Sequence, residues 1–357
     1  MQSLDEKMWD AVELDSMFTF ERGKEKNMAS LAQGYIPLVS ARKVNNGIKG
    51  FIDEPAKVIK GGNVISLNND GDGGAGLAYY QPVDFALDTH VTALHPKEDI
   101  SPDALICMTA SISKQHAVFG HGRSISLPRA HRIQNMLPVT DSGKPDYEYM
   151  AEYTRQKREA LLSKYRTYVE KRIAEMGEPA EIPVLNEKEW HEFPLDDVFT
   201  VGAGKRLETR NKIPGTRPFV GATDNGNGVT GFVGNDNVSK DNNVLGVNYN
   251  GAPCIAFYHP YECIFTDDVK RLHLRNYKDN IFVLLFFTSV FAQQRSKYSY
   301  GYKFNEQRML RQKLMLPVND SGEPDYEYME QYSKNMMLKK YKQYLAYMDR
   351  KGGWPVE

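Results

Sequence analysis

The chain is written twice, and this constrains its fold more than any other feature, because two copies of one sequence must each bury a core of the same design. Trp9 and Trp190 stand 181 positions apart. The same offset relates Glu6-Lys7 to Glu187-Lys188, Leu14-Asp15 to Leu195-Asp196, Phe18-Thr19 to Phe199-Thr200, Gly23-Lys24 to Gly204-Lys205, Pro37 to Pro218, and Gly50-Phe51-Ile52 to Gly231-Phe232-Val233. Farther on it becomes 178 between Tyr80-Gln81-Pro82 and Tyr258-His259-Pro260, then 179 between Arg129 and Arg308, as loops of unequal length require. The longest match is the last: Met136 to Met150, MLPVTDSGKPDYEYM, returns at Met315 to Met329 as MLPVNDSGEPDYEYM. A length of 357 residues independently favours two domains over one.

Both copies share one internal grammar. Short apolar or alternating runs, Tyr35–Val39, Asn63–Leu67, Pro253–Phe257 and Asp268–Leu274, are separated by Gly, Asn and Asp turns and read as strands. Each copy then closes on a turn and a proline, Pro145 or Pro324, placed for the first turn of a helix. A long polar helix follows, over about residues 146–176 and 325–351. Met150, Tyr153, Leu161, Tyr165 and Tyr168 keep near-helical spacing, as do Met329, Tyr332, Met336, Tyr344 and Tyr347. So thin an apolar stripe suits pairing with a similar helix, or with a partner protein, better than burial in a domain. The expected class is α+β: two β-rich domains in tandem, 1–144 and 181–323, each followed by a long helical segment, 145–180 and 324–357.

This order of elements resembles the DNA specificity subunits of type I restriction-modification systems and the related type IIB subunits. The likeness spans nearly the whole chain. Its most specific segments are Leu137-Pro-Val to Pro145-Asp-Tyr-Glu-Tyr-Met150 with its copy, Pro218 to Phe232, and Asn68 to Pro82. The resemblance implies two target recognition domains held apart by an antiparallel coiled coil, each reading half of a split double-stranded DNA sequence. It further implies that separate methyltransferase subunits, with a restriction or translocase subunit as a further possible partner, do the chemistry. One segment departs from the internal symmetry: Asn248 to Cys254 replaces the glycine-rich stretch of the first copy. The alternative reading is a protein interaction scaffold that binds methyltransferase subunits without recognising DNA.

Composition agrees with a folded protein: 41% hydrophobic and 25% charged residues are ordinary for a globular chain. Forty-five basic against 46 acidic residues leave a net charge of -1, so any DNA contact must come from local clusters of Lys and Arg, or from sharing the DNA with a more basic partner. No apolar run follows the first residues and none later approaches bilayer length, so no export signal, no membrane and a cytoplasmic location are expected. Three cysteines make no disulfide framework. A zinc site from Cys254, His259, Cys263 and His273 has no CxxC pair behind it, and neither a metal nor a cofactor is expected.

Two glycine-rich stretches, Gly71–Gly76 and Val201–Lys205, superficially suggest phosphate loops. A Walker loop would need glycine at Phe199 and Ser or Thr at Arg206, so both are read instead as strand turns requiring positive φ. No Pro-Pro dipeptide is present, although an amino-methyltransferase motif, by resemblance to that enzyme family, would contain one. The eight His form no cluster with Ser, Cys or carboxylates.

For reading DNA, the first candidate is the loop Ser40–Gly47, with Arg42, Lys43, Asn45, Asn46 and the nearby Lys49, against Gly221–Gly228, with Thr223, Asp224, Asn225 and Asn227. Arg and Asn fork onto guanine and adenine edges, while Thr and Asp suit other edges. The competing reading is a solvated Asn/Gly turn. The second candidate is the segment before the shared Leu-Pro-Val: His121, Arg123, Arg129 and Arg132 in one copy, and Tyr298, Tyr300, Tyr302, Lys303, Arg308 and Arg311 in the other. These suit phosphate contacts, or else salt bridges that support the helix junction. With no catalytic motif on the chain, the purified protein alone is expected to lack methyltransferase, nuclease and NTPase activity. Methyl transfer to DNA by contaminant-free protein would overturn this.

Overall fold

Turn-bounded apolar runs become strands here because their alternating residues find two partners, a neighbouring strand and a helix. The computed structural model describes residues 1–26, 31–70, 74–119, 123–298 and 304–351, and divides into two units, Met1–Tyr165 and Arg166–Glu357.

The first unit runs β1 (Trp9–Glu13), α1 (Leu14–Met17), β2 (Phe18–Arg22), β3 (Gln33–Val39), β4 (Ile48–Ile52), β5 (Val58–Ile59), β6 (Val64–Asn68), β7 (Ala78–Gln81), β8 (Phe85–Leu87), β9 (Val91–Pro96), α2 (Pro102–Ser113), α3 (Leu127–His131), β10 (Gln134–Pro138) and the start of α4 (Tyr147–Met176). Its sheets are ordered β2-β9-β6-β7 and β4-β3-β8-β5, with β1 paired to β10; β3 and β8 are the parallel neighbours. Ile65, Leu67, Phe85, Leu87 and Leu94 are fully buried.

The second unit repeats the plan: β11 (Trp190–Pro194), α5 (Leu195–Val198), β12 (Phe199–Ala203), β13 (Pro214–Val220), β14 (Val229–Val233), β15 (Val244–Asn248), β16 (Ala256–His259), β17 (Ile264–Phe265), β18 (Val269–Leu274), α6 (Ile281–Gln293), α7 (Glu306–Leu310), β19 (Lys313–Pro317) and α8 (Tyr326–Lys351). Its sheets are β12-β18-β15-β16 and β14-β13-β17, with β11 paired to β19. Phe199 meets Phe287 edge to face at 4.7 Å, and this core extends through Leu245, Leu272, Leu284, Phe291 and Met329. Among the described residues no helix is long and apolar enough to cross a membrane.

Two expectations need correction. The run Pro253–Phe257 is not a strand from its start: β16 begins at Ala256, and Cys254 takes a left-handed φ of 62° in the turn before it. Pro145 and Pro324 do not occupy the first helical turn. Each sits before the cap, bridged to Val139 or Val318, and the cap itself is Asp146 or Asp325. Asp146 accepts from the Tyr149 N–H at 3.0 Å and Asp325 from that of Tyr328 at 3.0 Å, while their backbone carbonyls receive Met150 and Met329. Prolines that do stand in a first helical turn are Pro102, behind the Ser101 cap of α2, and Pro128 in α3.

The helical stripe is covered only in part within this chain. Met150 and Met329 are buried at the helix bases, but Leu161 is 68% and Tyr168 52% exposed, and Met336, Tyr344 and Tyr347 also face outward. Tyr153, Tyr165 and Tyr332 are at most half-buried. Within the second unit the end of α4 runs antiparallel to α8: Arg166 binds Asp349 at 2.6 Å, Tyr168 stands edge-on to Tyr341 at 6.5 Å, and Asn335 exchanges bonds of 3.2 and 2.8 Å with the backbone of Ala180. The covered positions there are Val169, Ile173 and Met176 on one helix and Leu338, Tyr341, Leu345 and Met348 on the other, at the alternating three- and four-residue spacing of a coiled-coil seam. That seam lies one residue, about 100° of rotation, from the expected stripe.

Each domain is joined to its helix by the same clasp. Lys7 Nζ binds Asp146 at 2.7 Å and lies 5.1 Å from the Tyr149 ring centre; Lys188 binds Asp325 at 2.8 Å and lies 5.0 Å from the Tyr328 ring. The Tyr149 hydroxyl donates to the Gln2 carbonyl and that of Tyr328 to Pro183. Trp9 and Trp190 donate their indole N–H to the carbonyls of Leu4 and Leu185, both at 2.9 Å. Burial pushes the Asp146 carboxyl up, but the bonds from Lys7 and the Tyr149 N–H and the Lys7 charge outweigh it and hold its pKa below the usual carboxylate value. Asp146→Ala is expected to destabilise the protein by about 1–2 kcal/mol through loss of the cap, and Asp146→Asn by less, since Asn still caps. A carboxyl with a lowered folded pKa stabilises above its unfolded value, and that stability is lost as pH falls through the folded one. The Tm difference between wild type and Asp146→Asn, followed by calorimetry, should therefore shrink below about pH 4.

Candidate nucleic-acid interface

The two candidate loops share one backbone. Ser40 N–H bonds to the Gly47 carbonyl and Gly221 N–H to that of Gly228, both at 2.9 Å, closing the turn between β3 and β4 and between β13 and β14. Inside, three successive residues are left-handed: Asn45, Asn46 and Gly47 have φ of 56°, 53° and 75°, and Gly226, Asn227 and Gly228 have 58°, 53° and 74°. Asn tolerates this region better than other residues with a Cβ, and glycine carries no penalty there. A shared asparagine then holds the tip: Asn68 Nδ2 donates to the Arg42 carbonyl at 3.0 Å and Asn248 Nδ2 to the Thr223 carbonyl at 2.9 Å. In the first unit the Tyr79 hydroxyl reinforces that carbonyl at 3.0 Å; Phe257 stands at the matching place and cannot.

This geometry separates the candidate residues. Asn46 donates to the Tyr80 carbonyl at 2.9 Å, and Asn227 to the Tyr261 hydroxyl at 3.0 Å, so these two side chains hold the turn against its own domain. Arg42 is half-buried and its Nη1 reaches the Ile48 carbonyl at 3.3 Å. Lys43, Asn45 and Lys49 are exposed on the first loop, and Asp224 and Asn225 on the second. Thr223 is half-buried, its hydroxyl accepting from the Asn225 N–H at 3.3 Å. Asp224 accepts from Asn225 Nδ2 at 2.8 Å and faces Arg295 Nη2 at 3.8 Å. Arg295, just after α6, is a functional candidate that sequence reasoning missed, since only folding brings it beside Asp224.

In the second candidate segment, Arg123 is exposed. Arg129 donates to the Ser124 carbonyl at 2.7 Å and Arg132 to that of Pro128 at 3.1 Å, so both brace their own segment; the helix junction is held by Lys7 and Lys188 instead. Tyr298 is buried and donates to Gln312 at 2.5 Å. Arg308 is half-buried and Arg311 exposed. His121, Tyr300, Tyr302 and Lys303 lie outside the described residues, as do Gly71–Gly73.

The remaining motifs are used by the fold. A Cβ on Gly23 or Gly204 would fall 2.0 Å from the Asp88 carbonyl oxygen or 1.8 Å from that of Thr266, so these glycines allow close approach of two backbones and need no positive φ. Cys254 and Cys263 are buried and their thiols are pushed up to about 12, chiefly by burial. Burial lowers His259 to about 4. His273 lies 2.7 Å from Asp279 and 3.1 Å from Asp241, and the hydrogen bond to Asp279 leads the causes that raise it to about 9. Among the described residues no three His, Cys, Asp or Glu stand together as a metal site.

Residues 6–163 and 187–345 each match the family described as the type I restriction modification DNA specificity domain. The type II restriction enzyme BgcI specificity subunit S.BcgI of Heyndrickxia coagulans is 35% identical over 329 residues, covering 90% of this chain and 93% of its own length. Among solved structures, the S subunit of a type I restriction-modification system from M. genitalium shares 15% identity, with 98% of this chain and 94% of that one covered at a TM-score of 0.47. The HsdS subunit from Thermoanaerobacter tengcongensis shares 14%, with 96% and 91% covered at 0.32. Both superpositions are loose, and the assignment rests on the sequence matches.

The two roles within the loops are separable by stability. Asn46→Ala and Asn227→Ala each place a less tolerant residue at a left-handed position and remove a bond to the domain, so each is expected to cost about 1–2 kcal/mol. Lys43→Ala, on the exposed tip, is expected to stay within about 0.5 kcal/mol of wild type. Chemical denaturation of the three variants checks the ordering.

Proposed function

Because the chain belongs to the type I restriction modification DNA specificity family, we propose that this non-catalytic specificity subunit reads a split, asymmetric target in double-stranded DNA, one half with each unit, and docks separate methyltransferase subunits. One observation carries the reading: two turns share their φ angles to within a few degrees yet differ at the tips, Arg42-Lys43 against Thr223-Asp224. A repeated scaffold with unlike side chains is what two different half-sites require, since base edges are distinguished by donor and acceptor pattern.

In this reading Arg42, Lys43, Asn45 and Lys49 meet the first half-site, and Thr223, Asp224 and Asn225 the second. Asn46 and Asn227 hold the turns that present them. Arg123, Tyr302 and Lys303 contact phosphates, which position without specifying. Residues 1–144 and 181–323 act as the recognition domains, and 145–180 and 324–357 as spacers whose outward faces, including Leu161, Met336 and Tyr347, offer apolar surface to a methyltransferase. The relative with 35% identity is named for a type II restriction enzyme, which supports a nuclease activity in the assembled complex.

Lys43→Ala and Arg42→Ala are expected to relax one position of the first half-site by about 1–3 kcal/mol of discrimination while methyltransferase assembly and the second half-site stay unchanged. Modified-base sequencing of host DNA reads this out, and an unchanged motif in both variants would return the loop to a plain solvated turn. Four residues inserted after Tyr165 add about 6 Å of helix, so the unread gap should widen by one or two base pairs with both half-sites retained. An assembled insertion variant that methylates only the original spacing would show that these helices do not set the distance.

A further inference from the structure

We propose that Arg295, oriented by Asp224, is a specificity-determining residue of the second unit that reads a guanine in its half-site; this rests on the split-target reading above. The argument begins with charge. DNA presents the same negative backbone to both units, so each needs a cation wherever its loop approaches. The first loop has three, Arg42, Lys43 and Lys49; their counterparts, 181 positions on, are Thr223, Asp224 and Thr230, which leave that loop with a net negative charge.

The segment behind the domain helix shows the reverse. Gln115 and Gln294, 179 positions apart, fix its register, since both turn inward: Gln115 donates to the Gln134 carbonyl at 2.7 Å, and Gln294 accepts from Gln312 at 3.2 Å. The next residues are His116-Ala117-Val118 in the first unit and Arg295-Ser296-Lys297 in the second. The His116 ring is spent on the fold, with Nδ1 2.5 Å from the Ala75 carbonyl oxygen. Arg295 instead reaches the tip of the neighbouring loop, 3.8 Å from the Asp224 carboxylate, with both side chains about half exposed at 53% and 49%. The first unit also has a cation behind its helix, Lys114, but it precedes Gln115; the guanidinium that faces the loop tip is found in the second unit, whose loop lacks cations of its own.

An aspartate alone at a DNA-facing tip repels phosphate. Facing a guanidinium at 3.8 Å its charge is offset, and the attraction, without a hydrogen bond, favours orientations of the planar fork that keep one edge toward the carboxylate. The remaining donors suit the O6 and N7 acceptors of guanine in the major groove. Lysine, a point charge, would serve for phosphate but would not reproduce the fork.

The test uses the full chain in its own complex, with Arg295→Ala, Arg295→Lys and Asp224→Asn placed in the host gene and the methylated motif read by modified-base sequencing. Melting temperature and methyltransferase assembly confirm that each variant folds. The proposal expects Arg295→Ala to make one G·C position of the second half-site degenerate, with discrimination there reduced roughly tenfold or more. Arg295→Lys should fail to restore it, Asp224→Asn should relax the same position more weakly, and the first half-site should stay unchanged in all three. An unchanged motif in Arg295→Ala would overturn the proposal. So would a uniform loss of methylation at all sequences that Arg295→Lys repairs, which would mark a phosphate contact. A wild-type complex that modifies no split motif would remove the split-target reading itself, and this inference with it.

Discussion

The rest of the molecule depends on one doubly used carboxylate in each copy. Asp146 and Asp325 cap a long helix through backbone N–H groups that the helix cannot satisfy itself, and each also binds the lysine that precedes the first strand of its domain. A capped helix alone would swing on its turn, and a lysine pair alone would be a modest surface contact. Together, in a mostly buried setting with a tyrosine beneath the ammonium, they tie the direction of the helix to the strand pair that closes the domain. The same joint is built in both halves of the chain.

The loops show the complementary economy. Backbone shape is held by elements present in both copies: the closing bond from Ser40 or Gly221, the latch from Asn68 or Asn248, and three left-handed residues at the turn. None of these involves the side chains at the tip. Lys43 and Asp224 can therefore differ in charge without changing the turn, and the tips can diverge between copies while the fold stays constant.

The duplication, the strand-rich first part of each repeat, the capping region and the long polar helices were legible in the sequence because they rest on local signals: a repeated register, alternation, turn residues and helical periodicity. The candidate loops were found for the same reason, as a pair with one framework and unlike tips. What could not be read was anything that depends on phase or reach. Along α4 the positions 161, 165 and 168 are as regularly spaced as 162, 166 and 169, so periodicity alone cannot say which row turns inward. Val169 and Leu338 are buried only because antiparallel packing in the second unit chose that row. Helix α6 is apolar on nearly all sides, so periodicity alone does not mark it.

The sequence by itself determined that there would be two like domains carrying unlike loops, since identical framework residues at a fixed offset must solve the same packing problem. Only the tertiary structure decided which polar side chains in those loops bond back to their own domain. Asn46 and Asn227 read as base contacts by type, yet they hold the turn because the carbonyl of Tyr80 and the hydroxyl of Tyr261 lie within hydrogen-bonding distance. Arg295 reads as an ordinary cation after a helix, yet folding brings it beside a loop some seventy residues earlier in the chain, where Asp224 faces it. Such contacts join segments far apart in sequence, and no local pattern encodes a distance that the packed sheets and helices set.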